Sequence, residues 1–393
     1  MPATSTTMSG SYKQIYGKGG LIDALGNLSH DLWTKIGTSP NKPRGQGFYF
    51  PVHVAGNLSG GPTSEMAPLR EAQSEEFVQA VVTPARYEWS IEVSNDARYL
   101  GEGDQATFVQ VVDNAFKSKA DTAMTMLGND VWLDGTGTLT LVNGAVSNST
   151  TVVVDEAIRV REKMVLDGYE SSTLKFQGQQ VATVDPFTNT LTMKNPVTIA
   201  DNGILRINRV DGSTVVPIAG MVRMVDTTTT GTTYLGVSRN TYRKWRGNVL
   251  DAGSVSVSGD LLQQAFDRVR IICGKTPSTI ASNMSQRRKY LNAAQPQRRF
   301  MNGTFDLGHD TLEFNGKGWM IDDKCQRDKI WLLDLADFEK YIVRDLDVNT
   351  EGGELKPVPG YRKAIAYYEF IGQVACQNPY WHMQISNLAV PSI

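Results

Sequence analysis

The sequence predicts an α+β fold in which a flexible N-terminal arm and a long β-hairpin precede a long helix, a β-rich insertion and a terminal strand. Two patterns carry this prediction. Apolar residues recur at helical spacing over residues 105–127, whereas residues 171–250 consist of short β-type runs separated by turn residues. At 393 residues the chain exceeds the usual size of one compact core, so we expect two packed domains or one core with long insertions.

The composition is that of a globular protein, with 40% hydrophobic and 20% charged residues. The 39 basic and 41 acidic residues nearly cancel, so any contact with nucleic acid must be local. Cys273, Cys325 and Cys376 form no CxxC pair and predict reduced thiols. The sequence has no secretory pattern and no run of ~18 apolar residues, so we expect a protein made in the cytoplasm without a membrane span.

Residues 1–44 are rich in Gly, Ser, Thr and Pro and predict an arm with one amphipathic helical stripe. The stripe consists of Leu21, Leu25, Leu28, Leu32 and Ile36. Residues 47–54 and 77–93 have strand patterns, and the Gly- and Pro-rich segment between them predicts a hairpin with a long tip. Because two strands alone are marginal in water, we expect this hairpin to lie on another surface. The nearest candidate is a neighbouring subunit.

Residues Phe108–Leu127 predict a one-sided helix of about six turns, at ~3.6 residues per turn, that lies across a sheet as a spine. Asp104 is placed to cap its start and Gly128 to end it. A second helix is predicted from Asp155 to Leu166, where Gly168 follows as the terminator.

The β-rich insertion at 171–250 predicts several short strands, after which helical and strand patterns alternate. The predicted strands are Leu174–Phe176, Val181–Val184, Leu191–Met193, Ile204–Val210, Met221–Val225 and Tyr234–Val237. A helix is predicted from Asp260 to Ile272, followed by a mixed pattern to Asp347. Residues Ala364–Ile385 predict a long apolar strand that is broken at Asn378-Pro379.

None of the motifs that resemble catalytic sites is complete. Gly274-Lys275-Thr276 lacks the earlier glycine of a phosphate-binding loop, because Val269 occupies that position. The GxGxxA pattern at 101–106 has Glu102 and Asp104 where a pyrophosphate would sit, so it is interpreted as a helix cap. The segment 236–240 lacks the last glycine of a nucleophile elbow.

The candidate metal ligands are equally dispersed. The histidines, His30, His53, His309 and His382, stand singly. Asp322-Asp323 and His309-Asp310 could line a metal site if the fold joined them, but exposed turn residues are the favoured interpretation. We therefore predict a protein that is not an enzyme, with no catalytic residues, no cofactor and no metal.

One cluster of basic side chains consists of Arg287, Arg288, Lys289, Arg298 and Arg299. Tyr290 and Phe300 lie among them, and basic residues interleaved with aromatics can bind phosphate and stack on bases. The favoured alternative is a helix face that pairs with acids on a neighbour, because the overall charge is balanced. A second cluster, formed by Arg243, Lys244 and Arg246 around Trp245, has the same two interpretations.

Four segments carry a resemblance to a known family. FVQVVDNAFKSKADTAMTMLGNDVW at 108–132 is similar to its spine helix, and Thr276–Leu291 is similar to its strand-to-helix segment. LEFNGKGWMIDDKCQRDKIWLLDLADFEKYI at 312–342 and IAYYEFIGQVACQNPYWHMQI at 365–385 are similar to its later strands. From about residue 45 to the end, the order of these parts resembles the major capsid proteins of tailed bacteriophages, which have the Hong Kong 97-type fold.

The resemblance implies a subunit with an N-terminal arm at 1–44 and an extended hairpin loop at 45–97. A peripheral domain with the spine helix is expected at 98–150, completed by 343–363. An axial domain is expected at 151–342, including the insertion at 171–250, and completed by 364–393. Copies are expected to form hexamers and pentamers that close an icosahedral virion head around double-stranded DNA. The expected assembly takes place in the bacterial cytoplasm, and the expected partners are portal, scaffolding and cementing proteins.

Two departures from the family pattern carry expectations of their own. Members that cross-link covalently use a lysine in the extended loop, and no lysine occurs between Pro43 and Asp96 here. We therefore expect no isopeptide bond of that type. The short arm has no room for a scaffolding segment of a domain's length, so a separate scaffolding protein or an already trimmed chain is expected.

Three alternatives remain. An encapsulin-like compartment keeps the fold but stores a cargo enzyme, and the insertion at 171–250 argues against it. A β-rich phage tail or surface-binding protein is suggested by the Thr/Gly runs at 135–152 and 226–233, whereas the two long helical patterns disfavour it. An enzyme would need a catalytic pair that the sequence does not reveal.

Overall fold

The computed structural model describes residues 31–57, 59–65, 68, 71–96, 105–208, 217–227, 231–298, 312–349 and 355–390. Side chains are described for all of these residues except 31, 105–115 and 294–298. The chain has the predicted α+β architecture. It forms two layers, each a β-sheet with helices packed on it, and a β-barrel that is built from residues 138–207. No helix among the described residues is long and apolar enough to cross a membrane.

The first layer is a five-stranded sheet that carries the spine helix. Its strands are β1 (Gly37–Thr38), β4 (Ala85–Ser94), β18 (Phe338–Val348), β19 (Lys356–Pro357) and β20 (Lys363–Cys376). The long strand β20 pairs antiparallel with both β18 and β4. The predicted division into a peripheral and an axial domain stays a prediction.

The spine helix, α2, extends over Gln105–Asp130 and packs on this sheet. The Phe116 ring lies 5.8 Å from that of Tyr368, and the hydroxyl of Tyr87 donates to Asp130 Oδ2 at 2.6 Å. The prediction that Gly128 ends the helix was wrong by two residues. A glycine destabilises a helix but does not have to end it. The helix ends at Asp130, where the chain enters a tight turn in which Leu133 N donates to Asp130 O.

The end of the arm is folded onto this same body. Leu32 and Trp33 of helix α1 (Asp31–Lys35), and Ile36 directly after it, are buried in the largest core cluster. Strand β1 pairs parallel to β18. The Trp33 ring meets Phe370 edge-on at 5.7 Å. Residues 31–39 of the predicted arm therefore pack on their own subunit. The positions Leu21, Leu25 and Leu28 lie outside the described residues.

The predicted hairpin is confirmed as β2 (Phe48–Ala55) paired with β3 (Glu76–Val82). The second predicted strand, 77–93, is two strands, because the chain leaves the hairpin at Thr83-Pro84 and continues as β4 in the large sheet. A proline lacks the N–H that a continuous ladder needs, which explains the break.

The insertion forms a closed six-stranded antiparallel barrel. Its strands are β5 (Thr138–Leu141), β6 (Val146–Val153), β7 (Val165–Glu170), β8 (Thr173–Asp185), β9 (Thr190–Ile199) and β10 (Ile204–Ile207). They pair in the order β5-β10-β7-β8-β9-β6. Backbone bonds from Asn143 N to Val153 O and from Asp155 N to Leu141 O join the two ends. The barrel strands therefore begin well before the predicted residue 171 and end at Ile207.

The predicted helix at Asp155–Leu166 was wrong. Residues 155–164 form turns, and Leu166 belongs to β7, which is hydrogen-bonded on both sides by β8 and β10. Lys163 has a φ of 64°, which a right-handed helix does not allow. Ala157, Val160 and Met164 instead fill the barrel interior, so their helix-like spacing came from turns that point inward.

The predicted strand at Met221–Val225 was also wrong. Residues Met221–Met224 form a short helix, α3, buried in the largest core cluster. Two short strands follow, β11 (Thr233–Tyr234) and β12 (Val237–Ser238). A short apolar run that is buried on all sides has the same sequence pattern as a strand or a helix, and only its packing separates the two.

The second layer is a six-stranded sheet with two helices. Its strands are β13 (Asn248–Asp251), β14 (Thr279–Ser282), β15 (Glu313–Phe314), β16 (Lys317–Ile321), β17 (Ile330–Leu333) and β21 (Met383–Ser386), in the order β13-β21-β17-β14-β16-β15. The predicted helix at 260–272 is confirmed as α4 (Gly259–Cys273), which is followed by α5 (Met284–Arg298). The predicted break at Asn378-Pro379 is confirmed, because a single 3₁₀ turn at Pro379–Trp381 separates β20 from β21.

Candidate assembly and nucleic-acid surfaces

The hairpin presents one face to its own body and the other to solvent. Phe48 and Val82 are buried at its base, where the Phe48 ring lies 5.2 Å from the Tyr341 ring. The next inward ring, Phe50, stacks on Tyr341 at 6.2 Å. This alternation follows from the period of two in a strand, which puts residues 48, 50 and 52 on one side. The base of the hairpin is therefore held in a fixed direction.

The opposite face of the hairpin carries aromatic side chains and is open to solvent. Phe77 is 60% exposed and Tyr49 is 42% exposed. His53 pairs with Phe77 across the strands, and their rings stack at 4.9 Å. Pro51 lies between them on the same face and is also exposed. This face, which we call the outer hairpin face, is an aromatic stripe on a two-stranded sheet, a surface that gains free energy when a second surface covers it.

The predicted basic cluster falls on α5. Arg288 is exposed, whereas Arg287 and Lys289 are half-buried. Lys289 Nζ donates to the carbonyl oxygen of Ala389 at 3.1 Å, so this ammonium is already engaged with the C-terminal segment. Arg298 belongs to α5, but its side chain is not among those described. Arg299 lies outside the described residues. The structure thus brings three of the five predicted residues together at the start of one helix.

The aromatic residue of that cluster points away from the basic surface. The Tyr290 ring lies 5.2 Å from Trp319 and 6.1 Å from Phe314, where it packs α5 on the sheet. Gln286, one turn earlier, is buried and donates to Arg327 O at 2.6 Å. Tyr290 is therefore a packing residue and does not offer its ring to a base. The other predicted stacking residue, Phe300, lies outside the described residues.

The second basic cluster is structural. Trp245 is buried and its indole N–H donates to Tyr234 O at 2.9 Å. Arg246 donates to the carbonyl oxygens of Asn240, at 2.9 Å, and of Arg239. The Arg243 guanidinium lies 5.6 Å from the centre of the Tyr380 ring. Two of the three cations in this cluster thus serve the chain's own backbone and rings.

The predicted exposure of Asp322 was wrong. Its side chain is buried, with Oδ1 accepting from Lys324 N at 3.0 Å and Oδ2 from Leu32 N at 3.4 Å. Burial raises the pKa of this carboxyl. Asp322 lies in the loop between β16 and β17 of the second layer and joins this loop to α1. The two partners are 290 residues apart in the sequence, so no local pattern can reveal the contact.

His382 is fully buried, and its Nδ1 accepts from Asp334 N at 3.2 Å while Nε2 lies 3.6 Å from Asp337 Oδ2. Burial lowers the pKa of His382 to about 3, so the ring is neutral. Within the described part of the chain, no three His, Cys, Asp or Glu side chains are grouped to hold a metal ion. His30, His309 and Asp310 lie outside that part.

The incomplete phosphate-loop motif is a helix end. Gly274 follows α4 with a φ of 71°, and its N–H donates to Arg270 O, which is a glycine helix cap. Lys275 Nζ lies 3.1 Å from the centre of the Trp381 ring.

The three cysteines are free thiols, and burial raises the pKa of Cys273 to about 11.

One buried ion pair fixes the barrel to the second layer, and sequence reasoning missed it. Arg159 Nη2 lies 2.5 Å from Glu156 Oε2, with the two side chains 5% and 13% exposed. The same guanidinium donates twice to Lys324 O, at 3.1 and 3.3 Å, and once to Leu139 O at 3.3 Å. Glu156 Oε1 accepts from Arg327 N at 2.9 Å. We call Arg159 and Glu156 the barrel clamp.

Comparison with solved structures identifies the fold. The chain is similar to a chain of the cyanophage A-1(L) capsid asymmetric unit, with a TM-score of 0.59 at 10% identity, over 96% of this chain and 98% of that one. It is also similar to a structure titled Gordonia phage Cozz, with a TM-score of 0.53 at 10% identity, over 99% of this chain and 96% of that one. No protein-family model and no curated protein sequence matches the chain.

These two similarities extend over almost the whole of each chain, so the shared feature is the complete fold and not a single domain. The protein has the phage capsid fold. This is the Hong Kong 97-like fold that the sequence resemblance predicted.

Proposed function

We propose that this chain is a major capsid protein, which self-assembles as hexamers and pentamers into the icosahedral head of a tailed phage. The full-length capsid fold supports this proposal. The observation that carries it is the outer hairpin face, because exposed aromatic side chains grouped on one face of a sheet are typical of a surface that a partner covers. In a shell, a neighbouring copy covers that face.

The energy available from this face is modest for each contact. Complete burial of one large apolar side chain is worth about 1.5–3 kcal/mol. Contacts of that size release and re-form, which lets a growing shell correct wrong additions, and their sum over many copies makes the closed shell stable. This requirement fits a hairpin that is fixed at its base and open along its outer face.

The test is expression of the full chain, followed by negative-stain electron microscopy and sedimentation velocity. Wild-type protein should form shells or capsomer-sized rings. Phe77→Asp should abolish assembly, because a carboxylate cannot be buried unpaired at the contact. Phe77→Leu is the matched control and should assemble. A wild-type chain that stays a folded monomer at high concentration would contradict the proposal.

The proposed contents are double-stranded DNA, held by non-specific contacts that include Arg287, Arg288 and Lys289. The exposure of Arg288 supports a role for this surface, and the engagement of Lys289 with Ala389 limits it. The cargo-compartment alternative keeps the same fold, so particles must also be analysed for nuclease-protected DNA and for co-purifying protein. Portal, scaffolding and cementing proteins remain expected partners of the virion, and the proposed role requires no catalysis.

A further inference from the structure

The spine helix ends on a buried carboxyl group. Asp130 is the last residue of α2 and is only 6% exposed. The carbonyl groups at the C-terminal end of a helix carry a partial negative charge, so a carboxylate is unfavourable there. The last turn of α2 contains no basic residue that could offset this charge. The position of Asp130 therefore disfavours its charged form.

Three segments of the chain meet at this carboxyl group. The Tyr87 hydroxyl of β4 donates to Asp130 Oδ2 at 2.6 Å and accepts from Ile218 N at 2.9 Å. The start of α3 is held at the same end of the helix, because Met221 N donates to Val131 O at 2.7 Å. A single hydroxyl group thus connects the carboxyl group of the spine helix with β4 and with the segment that leads into α3.

The charged groups of the surrounding elements leave the carboxyl group in this unfavourable setting. Asp134, in the turn after the helix, repels the carboxylate. On β4, Arg86 and Glu88 are exposed and lie on the face of the sheet opposite to the spine helix. The charged residue of α3 is Arg223, which lies beside the turn after the helix. The charge on Asp130 is therefore opposed by burial, by the helix end and by a second carboxylate.

Burial raises the pKa of Asp130 from 3.8 to about 6, the hydrogen bond from Tyr87 opposes this rise, and repulsion by Asp134 adds to it. The folded chain therefore holds this proton more tightly than the unfolded chain does. Protonation stabilises the folded junction, and this stabilisation is lost as the pH rises through about 6.

We propose that Asp130 is a protonation switch, which tightens the junction between the spine helix, β4 and the start of α3 under mildly acidic conditions. The switch lies inside one subunit. It goes beyond the proposed shell function and does not depend on it.

The test is amide hydrogen exchange by mass spectrometry on the full-length chain between pH 5 and pH 7, corrected for the intrinsic effect of pH on exchange. The readout is local opening in peptides over 124–133, at the end of the spine helix. Opening should be about tenfold less frequent at pH 5 than at pH 7, as the shift of the pKa requires. Asp130→Asn keeps the shape of the side chain without its charge, so its opening should be the same at both pH values.

Two further variants should move the midpoint of the wild-type response in opposite directions. Tyr87→Phe removes a hydrogen bond that favours the carboxylate, so the midpoint should move to higher pH. Asp134→Asn removes the repulsion, so the midpoint should move to lower pH. A contact with a merely structural role would leave the midpoint unchanged in both variants.

The switch is overturned if the wild-type chain shows no response, or if Asp130→Asn keeps the full response. More frequent opening at pH 5 also overturns it, since that is the direction expected from the buried His382. If Asp130→Asn does not fold, opposite midpoint shifts in Tyr87→Phe and Asp134→Asn support the switch, and unchanged midpoints overturn it. Each of these results can be read whether or not the chain forms shells, so failure of the switch is distinguishable from failure of the shell proposal.

Discussion

Substitution of Arg159 tests whether the barrel clamp holds the insertion in place. Arg159→Ala removes one side of a buried ion pair and three hydrogen bonds to the carbonyl oxygens of Lys324 and Leu139. Removing one partner of a buried pair costs about 3–5 kcal/mol, because the remaining charge stays desolvated. At about 1.4 kcal/mol for each tenfold change, local opening should become about a hundredfold to about four thousandfold more frequent.

The assay is amide hydrogen exchange by mass spectrometry on the full-length chain. Exchange should rise in peptides over 155–160 and 322–328, where the two sides of the clamp meet, while the spine helix keeps its protection. Arg159→Lys should lose less protection from exchange than Arg159→Ala, because lysine keeps the positive charge. It should still lose some, because lysine lacks the forked group that reaches two carbonyl oxygens. Lys175→Ala is the control, since its ion pair with Glu170 is exposed to solvent and contributes little to stability.

Two results would refute the reasoning on the clamp. The first is an Arg159→Ala chain with exchange at 155–160 unchanged within about threefold, which would mean that the pair contributes less than about 1 kcal/mol. The second is an equal rise over the whole chain, which would mean that the pair supports global stability and not the position of the barrel.

Two further predictions concern His382 and Gly220. Because burial lowers the pKa of His382 to about 3, the unfolded chain binds a proton that the folded chain refuses, so stability falls as the pH drops from about 6.5 towards 3. The free energy of unfolding, measured with urea, should be about 2 kcal/mol lower at pH 5 than at pH 7 because of this group. His382→Gln should remove this contribution to the pH dependence. If the difference between the two pH values is the same in His382→Gln, the assignment is contradicted. A Cβ at Gly220 would lie 1.8 Å from Leu133 O, so Gly220→Ala should lower the free energy of unfolding by about 1–3 kcal/mol or more in the same assay. Gly259→Ala is the control and should not lower it, because a Cβ at Gly259 would meet no atom within 4 Å.

The long elements could be predicted because their patterns are long. The spine helix, the helix at 259–273 and the paired strands at 48–55 and 76–82 each repeat their period enough times to exclude the other structure. The helix wrongly predicted at 155–166 and the strand wrongly predicted at 221–225 are short and buried. In both segments the apolar residues face a core on several sides, so periodicity carries no information about the backbone.

The candidate surfaces were predicted less completely, for a related reason. The basic residues of α5 were found as a cluster, but their availability depends on Ala389, about a hundred positions further along the chain. The second cluster around Trp245 turned out to bind its own backbone. Charge in a sequence shows which groups are present, and only folding shows which of them are already satisfied.

The sequence by itself determined the α+β class, the order of arm, hairpin, spine helix and terminal strand, and the resemblance to phage capsid proteins, because local periodicity and turn chemistry act over neighbouring residues. The tertiary structure decided that residues 31–39 pack on their own subunit, that the insertion closes into a barrel and that Arg159 fixes this barrel to the second layer. It also decided which aromatic residues remain in solvent. These features depend on pairings between distant segments, such as Leu32 with Asp322, whose energies no local pattern contains.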